Sequence, residues 1–365
     1  MITTKYSGIF ARIIDGTVVR GFKPDQDFTP VGYVSNDVEQ LCVFSALNSL
    51  VYLTPNQKII IHDISCNTSK DITSIVRGNI NIFHCRDTIV KINTDSTSLF
   101  IQTSRSFTII DFITLEKYSS ESYTFESDIV LSESTYYYSL IYTKDGYLHP
   151  FGTIPVNIYN LTVKPIHFYV PIEQIICKTS YALIKTMDGI VYGMGKGHRT
   201  MDSSIFNKVF NHAEHLRVKH LIASDDQIIY ICTDFSVYYV NMTSNNISWV
   251  TGLYPEFLGL GSRAYIFEYN KFVIQKLDGQ WLFYEWNNSC QPVKNTIDPM
   301  MEENVESIYG CNGAIYIITF DGSVYKTSIN NNTLEEPLKI VRYFKNNPVM
   351  TRKPWAMIKS AASIF

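Results

Sequence analysis

Short apolar runs, broken at intervals by turn-forming residues, organise this chain from end to end. Glu173 to Cys177 is followed by Tyr181 to Lys185, His220 to Ala223 by Ile228 to Cys232, and Ser307 to Tyr309 by Ala314 to Ile318. Each pair leads into a polar turn, and the clearest is Thr186-Met187-Asp188-Gly189-Ile190-Val191-Tyr192. There an apolar strand ends, a two-residue Asp-Gly turn reverses the chain, and a β-branched and aromatic strand leaves. Asp-Gly tolerates the positive φ angles of a type I′ turn, so the pattern predicts a β-hairpin. The same register recurs at Thr319-Phe320-Asp321-Gly322-Ser323-Val324-Tyr325 and, with the glycine lost, at Thr233-Asp234-Phe235-Ser236-Val237-Tyr238.

Weaker copies fill the intervals: Asp15-Gly16 before Val18, Asn56-Gln57 before Ile59, Asp95-Ser96 before Leu99, Asp145-Gly146 before Leu148, and one more near Tyr269-Asn270 or Asp278-Gly279, for which Asp278 serves as the turn position. Turn positions 15, 56, 95, 145, 188, 234, 278 and 321 are separated by 41, 39, 50, 43, 46, 44 and 43 residues. A period of forty-odd residues is one four-stranded sheet, because two apolar strands precede each turn and a further short apolar stretch often follows, as at Phe107 to Asp111. Such a unit cannot bury both faces alone. Radial stacking solves this, and the expected fold is all-β: a β-propeller of four-stranded blades, one domain over residues 1–365. Eight turn copies are present in the chain.

The two ends complete the pattern. Ser7 to Gly16 aligns without a gap on Ser180 to Gly189, a second strand, while Trp355 to Ser363 has the character of His215 to Ser224, a first strand ending in small residues. The expectation is a ring closed by a blade shared between the N- and C-termini, which leaves no unpaired edge. Cys85, Cys177 and Cys311 fall eleven or twelve residues before the glycine place of a turn, where Ser224 stands in another copy. They read as small buried side chains at a tightly packed position.

Composition agrees with this fold. Hydrophobic residues make up 45% of the 365, aromatic residues 14% and charged residues 18%, enough for a large core and no basis for disorder. Seven scattered cysteines without a CxxC suit reduced thiols in an intracellular, cytoplasmic protein. The start of the chain lacks the zones of a secretory signal and no run of eighteen apolar residues occurs, so neither export nor a membrane partner is expected. A net charge of -3 argues against nucleic acid as a partner.

The stretch Ile175 to Leu183, followed by Asp188-Gly189-Ile190-Val191-Tyr192-Gly193-Met194-Gly195, resembles the repeat of the regulator of chromosome condensation family. In that repeat Asp-Gly and Val-Tyr lead to Trp-Gly, where this chain has Met194-Gly195. Other copies depart further, and Tyr325-Lys326-Thr327 lacks the pair altogether. The resemblance implies a propeller, seven blades by the family pattern against eight turns counted here, and for function either a docking scaffold or, from the founding member, guanine-nucleotide exchange on a small GTPase. Richness in Ile, Asn and Tyr looks like an AT-biased protist genome, and propellers of this type there suggest a cytoskeletal or flagellar assembly, with an axonemal location.

No catalytic, cofactor or metal signature stands out. Gly193-Met194-Gly195-Lys196-Gly197 fits neither a P-loop nor a dinucleotide fingerprint. His212, His215 and His220 lack a fourth ligand at any recognisable spacing. Surfaces are more informative. From Pro337 to Phe365 the chain carries Lys339, Arg342, Lys345, Arg352, Lys353 and Lys359 with no Asp or Glu. Arg342, Lys345, Arg352 and Lys353 are therefore candidates for binding an acidic protein surface such as that of tubulin. Trp281 and Trp286 bracket an aromatic strand, Trp281-Leu282-Phe283-Tyr284, in which Trp281 and Phe283 share one face and Leu282 and Tyr284 the other. These two tryptophans are candidate interface anchors, with core packing the competing account. The chain is accordingly expected to be a non-catalytic scaffold for protein partners.

Overall fold

The computed structural model describes residues 2–5, 8–12, 17–21, 29–33, 39–44, 49–79, 88–95, 97–112, 118–135, 137–152, 164–195, 207–208, 217–225, 227–241, 256–268, 271–286, 290–292, 305–311, 314–320, 323–330, 333–334 and 338–341. Within them, eight antiparallel sheets follow one another along the chain, each a meander in sequence order. Sheet 1 holds β1 (Ile2–Lys5), β2 (Gly8–Arg12), β3 (Thr17–Gly21) and β4 (Thr29–Tyr33). Sheet 2 holds β5 (Gln40–Phe44), β6 (Ser49–Leu53), β7 (Ile59–Asp63) and β8 (Thr68–Asp71), followed by the helix α1 (Thr73–Asn79). Sheet 3 holds β9 (Lys91–Thr94), β10 (Ser98–Gln102), β11 (Ser106–Phe112) and β12 (Tyr118–Thr124). Sheet 4 holds β13 (Ile129–Ser134), β14 (Tyr138–Thr143), β15 (Tyr147–Gly152) and β16 (Ile166–His167). Sheet 5 holds β17 (Ile172–Cys177), β18 (Tyr181–Thr186), β19 (Val191–Gly195) and β20 (Asn207–Lys208). Sheet 6 holds β21 (Val218–Ala223), β22 (Gln227–Cys232), β23 (Ser236–Asn241) and β24 (Glu256–Leu260). Sheet 7 holds β25 (Arg263–Glu268), β26 (Lys271–Gln275), β27 (Trp281–Trp286) and β28 (Cys290–Pro292). Sheet 8 holds β29 (Val305–Cys311), β30 (Ala314–Thr319) and β31 (Val324–Asn330), with β32 (Thr333–Leu334) and β33 (Leu338–Val341) both paired to β31.

The chain divides into two compact units, one of residues 1–21, 29–154 and 160–179, the other of 22–28, 155–159 and 180–365. In both, the second strand of a sheet is its most buried element: β6, β14, β18 and β22 are buried at every position. A strand covered on both faces reads as a continuous apolar run, which is why these segments stand out in sequence. In the first unit Leu99 and Ile101 of β10 face a core shared with sheet 2, while Phe100 between them packs toward Ile129 and Ile141 of sheet 4. In the second unit one core joins Ile229 and Tyr239 of sheet 6 to Phe272 and Tyr284 of sheet 7, and another joins Trp281 and Phe283 to Ile308 and Ile317 of sheet 8.

The turns differ from the predicted two-residue type I′ hairpin. Thr186 donates its amide to the Ile190 carbonyl at 3.0 Å, and the Gly189 amide returns to the Thr186 carbonyl at 2.8 Å, so the loop has three residues, Met187-Asp188-Gly189. Only its third residue takes a positive φ, 78° at Gly189. This is a type I turn with a left-handed bulge residue, and it spares Asp188 the left-handed conformation that a type I′ turn demands. Asp188 instead keeps its carboxylate free to accept the Thr186 hydroxyl at 2.6 Å. The same left-handed slot holds Gly146 and Gly279, but also Gln57 at 62° and Phe235 at 67°, which is how copies without glycine survive. The recurrent threonine has its own role: the hydroxyls of Thr143 and Thr319 donate to the carbonyls of Tyr147 and Ser323 at 3.0 and 3.1 Å, while Thr186 shares its one hydroxyl proton between Asp188 and the Ile190 carbonyl, 3.0 Å away.

Two further expectations are corrected. Asp95 lies between the first and second strands of sheet 3, with both strands of the true central hairpin, β10 and β11, still to come. Ser104-Arg105 is that hairpin's turn, which changes the irregular spacings of 39 and 50 to 48 and 41, the longer one accommodating α1. Asp95 mimics the central turns because its carboxylate caps the Thr97 and Ser98 amides, both at 2.8 Å, as an aspartate does in any tight turn. In sheet 1 the place beside β2, assigned from the sequence to the C-terminal segment, is filled by β1, with Ile2 opposite Ala11 and Lys5 opposite Gly8. A strand two residues away in the chain loses far less entropy on pairing than one some 340 residues distant. Trp355 to Ser363 lies outside the described residues.

Candidate functional site

The sequence candidates separate on inspection. Trp281 is fully buried, its ring 5.8 Å from that of Tyr265, and Phe283 beside it is equally buried. Leu282 and Tyr284 point to the opposite core, as alternation predicted, so the aromatic strand is consumed by packing on both faces and Trp281 offers no ring to a partner. Trp286 ends β27, opposite Cys290. Lys339 belongs to β33, opposite Tyr325, while Arg342, Lys345, Arg352 and Lys353 lie outside the described residues. Gly193, Met194 and Gly195 are strand residues of β19 and Met194 is buried. Among the described residues no three His, Cys, Asp or Glu side chains are grouped to hold a metal, and no helix is long and apolar enough to cross a membrane.

Polar chemistry in the first unit is concentrated where the first strands of sheets 3, 4 and 5 meet. The Lys91 ammonium donates to the Ser132 carbonyl at 2.7 Å and to Glu133 Oε1 at 3.1 Å, and the Cys177 thiol contacts the Glu133 carbonyl at 3.7 Å. Burial raises the Glu133 carboxyl above its ordinary range, a shift that the Lys91 charge partly offsets. Burial, reinforced by the Glu133 charge, pushes the Cys177 thiol well above its usual value. Such a thiol is a packing group rather than a nucleophile. Sequence reasoning anticipated the packing role of Cys177 but missed its lysine and glutamate neighbours, which are 86 and 44 residues away along the chain.

The second unit presents a different feature. Its exposed large apolar residues among those described are Met187, Phe235, Phe257, Leu260, Leu277 and Phe320. Four of the six stand in the central hairpin turns of sheets 5, 6, 7 and 8, Met187 and Phe320 being 66% and 63% exposed. Leu260 lies opposite Ser236, next to Phe235, and the Gly261 amide bonds the Phe235 carbonyl at 2.9 Å. Lys219 holds its ammonium 5.1 Å from the centre of the Phe235 ring. Successive meanders entered by their first strand turn their central hairpins toward one face, so these side chains share a face. The corresponding turns of the first unit carry Asn56, Arg105 and Lys144, all polar and exposed. The signal was present in the sequence as the variable residue before each Asp-Gly: Met187, Leu277 and Phe320 in three copies, Lys144 in another.

No protein-family model and no curated protein matches the sequence. Solved structures match the fold. Human WBSCR16 superposes with a TM-score of 0.50 at 10% identity, over 85% of this chain and 96% of that one. BamB from Moraxella catarrhalis, a β-propeller, gives 0.51 at 13% identity over 90% and 96% of the two chains. The computationally designed Ika8 protein gives 0.51 at 11% identity over 84% and 89%. The fold is a β-propeller. Its sheets are the blades, and Met187, Phe235, Leu277 and Phe320 stand at the hairpin tips of blades 5 to 8.

Proposed function

We propose that this propeller is a non-catalytic scaffold of one domain that docks protein partners, and that the apolar hairpin tips of blades 5 to 8 are its principal docking surface. The observation that carries this reading is the concentration of Met187, Phe235, Leu277 and Phe320 on equivalent tips, where nothing in the blade itself requires an apolar side chain. The same kind of exposed side chain recurs on four successive blades of the second unit, which favours a partner that reads this face. The basic segment with Arg342, Lys345, Arg352 and Lys353 adds electrostatic attraction, which favours an acidic partner. An acidic polymer surface such as tubulin, in a cytoskeletal or flagellar assembly, fits that chemistry.

Affinity capture with quantitative mass spectrometry tests the reading. Met187→Ser, Leu277→Ser and Phe320→Ser together should lose the specific partners of the wild-type chain. Glu at Arg342, Lys345, Arg352 and Lys353 should weaken capture and flatten its salt dependence around 0.15 M, where the screening length is about 8 Å. Identical partners at identical salt dependence from both variants would defeat the proposal. Guanine-nucleotide exchange is the alternative reading and rests on the repeat resemblance around Ile175 to Gly195. A chain that accelerates nucleotide release from a captured GTPase would establish it.

A further inference from the structure

Blades 3 and 4 enclose a cavity lined by Lys91, Asn93, Gln102, Ser132, Ser134 and the rings of Phe100 and Phe107. Lys91 lies directly opposite Gln102 on paired strands and Asn93 opposite Phe100, so these side chains share the face of blade 3 that meets β13 of blade 4. Their acceptors are already in use. Ser132 donates its hydroxyl to Gln102 Oε1 at 2.6 Å, the Thr94 amide donates to Asn93 Oδ1 at 2.8 Å, and the Ser139 hydroxyl donates to Ser134 at 3.0 Å. Lys91 directs two of its three ammonium protons to the Ser132 carbonyl and Glu133. What remains without a partner among the described residues is a set of donors: the amide N–H groups of Gln102 and Asn93, the Ser134 hydroxyl proton and the third Lys91 proton. Gln102 is only 5% exposed, so a donor left unmatched there is costly. We propose that this cavity binds a small monoatomic anion of the halide class.

Size and hydrogen-bond polarity select that class. The cavity measures about 190 Å³ with its mouth included, but its interior takes little more than one water-sized group, which excludes phosphate, sulfate and larger organic acids. Water fits the space and not the chemistry, because it brings two protons that need acceptors of their own. A halide ion accepts from all four donors and brings no proton. Lys91 supplies the charge. Phe100 and Phe107, both buried with ring centres 6.1 Å apart, keep one wall apolar, where charge-assisted hydrogen bonds are strong. Glu133 opposes binding, since it shares the Lys91 ammonium at 3.1 Å. An anion held by Lys91 of β9 and Ser134 of β13 ties two blades together, and because only the folded chain forms the site, it stabilises the fold by mass action. The site belongs to the first unit and is independent of the hairpin tips of blades 5 to 8.

Chloride NMR line width on the full-length protein tests the site. Wild-type protein should broaden the chloride resonance, and bromide should reverse the broadening by competition, whereas sulfate at matched ionic strength should not. Gln102→Glu, which keeps the shape and replaces a donor by a repelling carboxylate, and Ser134→Ala, which removes one donor, should each weaken chloride binding about tenfold. Glu133→Gln should tighten it. Lys144→Met, at an exposed turn of blade 4, should leave it unchanged. Crystals of the wild-type chain grown in sodium bromide should show an anomalous bromine peak within hydrogen-bond distance of Gln102 Nε2, a readout that needs no variant to fold. Equal broadening by wild type, Gln102→Glu and Ser134→Ala, or a bromide-soaked crystal without that peak, would overturn the proposal and leave a hydrated seam between blades.

Discussion

The Tyr138 phenol, at the start of the second strand of blade 4, donates to the Lys178 carbonyl 2.8 Å away at the end of the next blade's first strand. Tyr181, at the start of the second strand of blade 5, makes the equivalent bond to Ser224. These two pairs are 40 and 43 residues apart, one repeat each, so the tie joins neighbouring blades at the same point. Tyr265 makes a different inter-blade bond, from the first strand of blade 7 to the Glu306 carbonyl in the first strand of blade 8 at 3.3 Å. Tyr138→Phe should lower stability in urea titration by about 1 kcal/mol, the net worth of one such bond. Tyr265→Phe should cost less, since its bond is longer. Equal stability of Tyr138→Phe and wild type would mean that the tie is not a stabilising contact.

Gly189 and Gly279 occupy the same left-handed slot, at φ values of 78° and 92°, but in different surroundings. A Cβ on Gly189 would meet the Arg217 Cβ at 2.8 Å and the Val218 backbone at 3.0 Å, whereas one on Gly279 meets nothing within 4 Å. Gly279→Ala should cost only the left-handed penalty of about 1–2 kcal/mol. Gly189→Ala should cost more, and the difference, read by chemical denaturation, isolates the clash from the conformational term.

Glu133 gives the stability a sign with pH. Its folded carboxyl titrates above the unfolded one because burial opposes ionisation more than Lys91 supports it. Such a group contributes stability that is complete below the unfolded value near 4.5 and is lost as pH rises through the folded value. Glu133→Gln, which preserves an acceptor for Lys91, should flatten the pH dependence of the melting temperature between pH 4 and 8 in that direction. A steeper dependence in the variant would refute the assignment.

Cysteine labelling separates buried from exposed thiols. Cys66 is exposed, while Cys177 is held protonated by burial and Glu133, and burial drives Cys232 to about 11. Iodoacetamide at neutral pH should alkylate Cys66 first, with Cys177 and Cys232 reacting only on unfolding. Early modification of Cys177, seen by peptide mass spectrometry, would contradict its packing role.

The N-terminal strand should matter to stability. Deleting residues 1–5 removes β1 and exposes the edge of β2, so it should destabilise or aggregate the protein. A truncated chain that melts within a degree or two of wild type would contradict the pairing of β1 in blade 1.

The repeat was legible because turn chemistry and strand burial act locally. Asp188-Gly189 and Asp278-Gly279 announce their hairpins from two residues each, and β18 and β22 read as apolar runs because both faces are covered. Asp95 misled for the same reason. A carboxylate capping two amides looks alike in any turn, and only strand pairing shows which strands it joins.

The alternation of Trp281, Leu282, Phe283 and Tyr284 was fixed by the chain, since strand side chains alternate whatever lies beyond them. Whether those faces met solvent or another blade was decided by the packing of blade 7 between blades 6 and 8. The same holds for Met187, Leu277 and Phe320. Sequence placed them in turns, but their exposure on a common face follows from the shared direction of successive hairpins. The Lys91 and Glu133 pair likewise exists only once residues 42 positions apart are folded onto adjacent first strands. Periodicity is written residue by residue, while neighbourhood depends on how the blades stack.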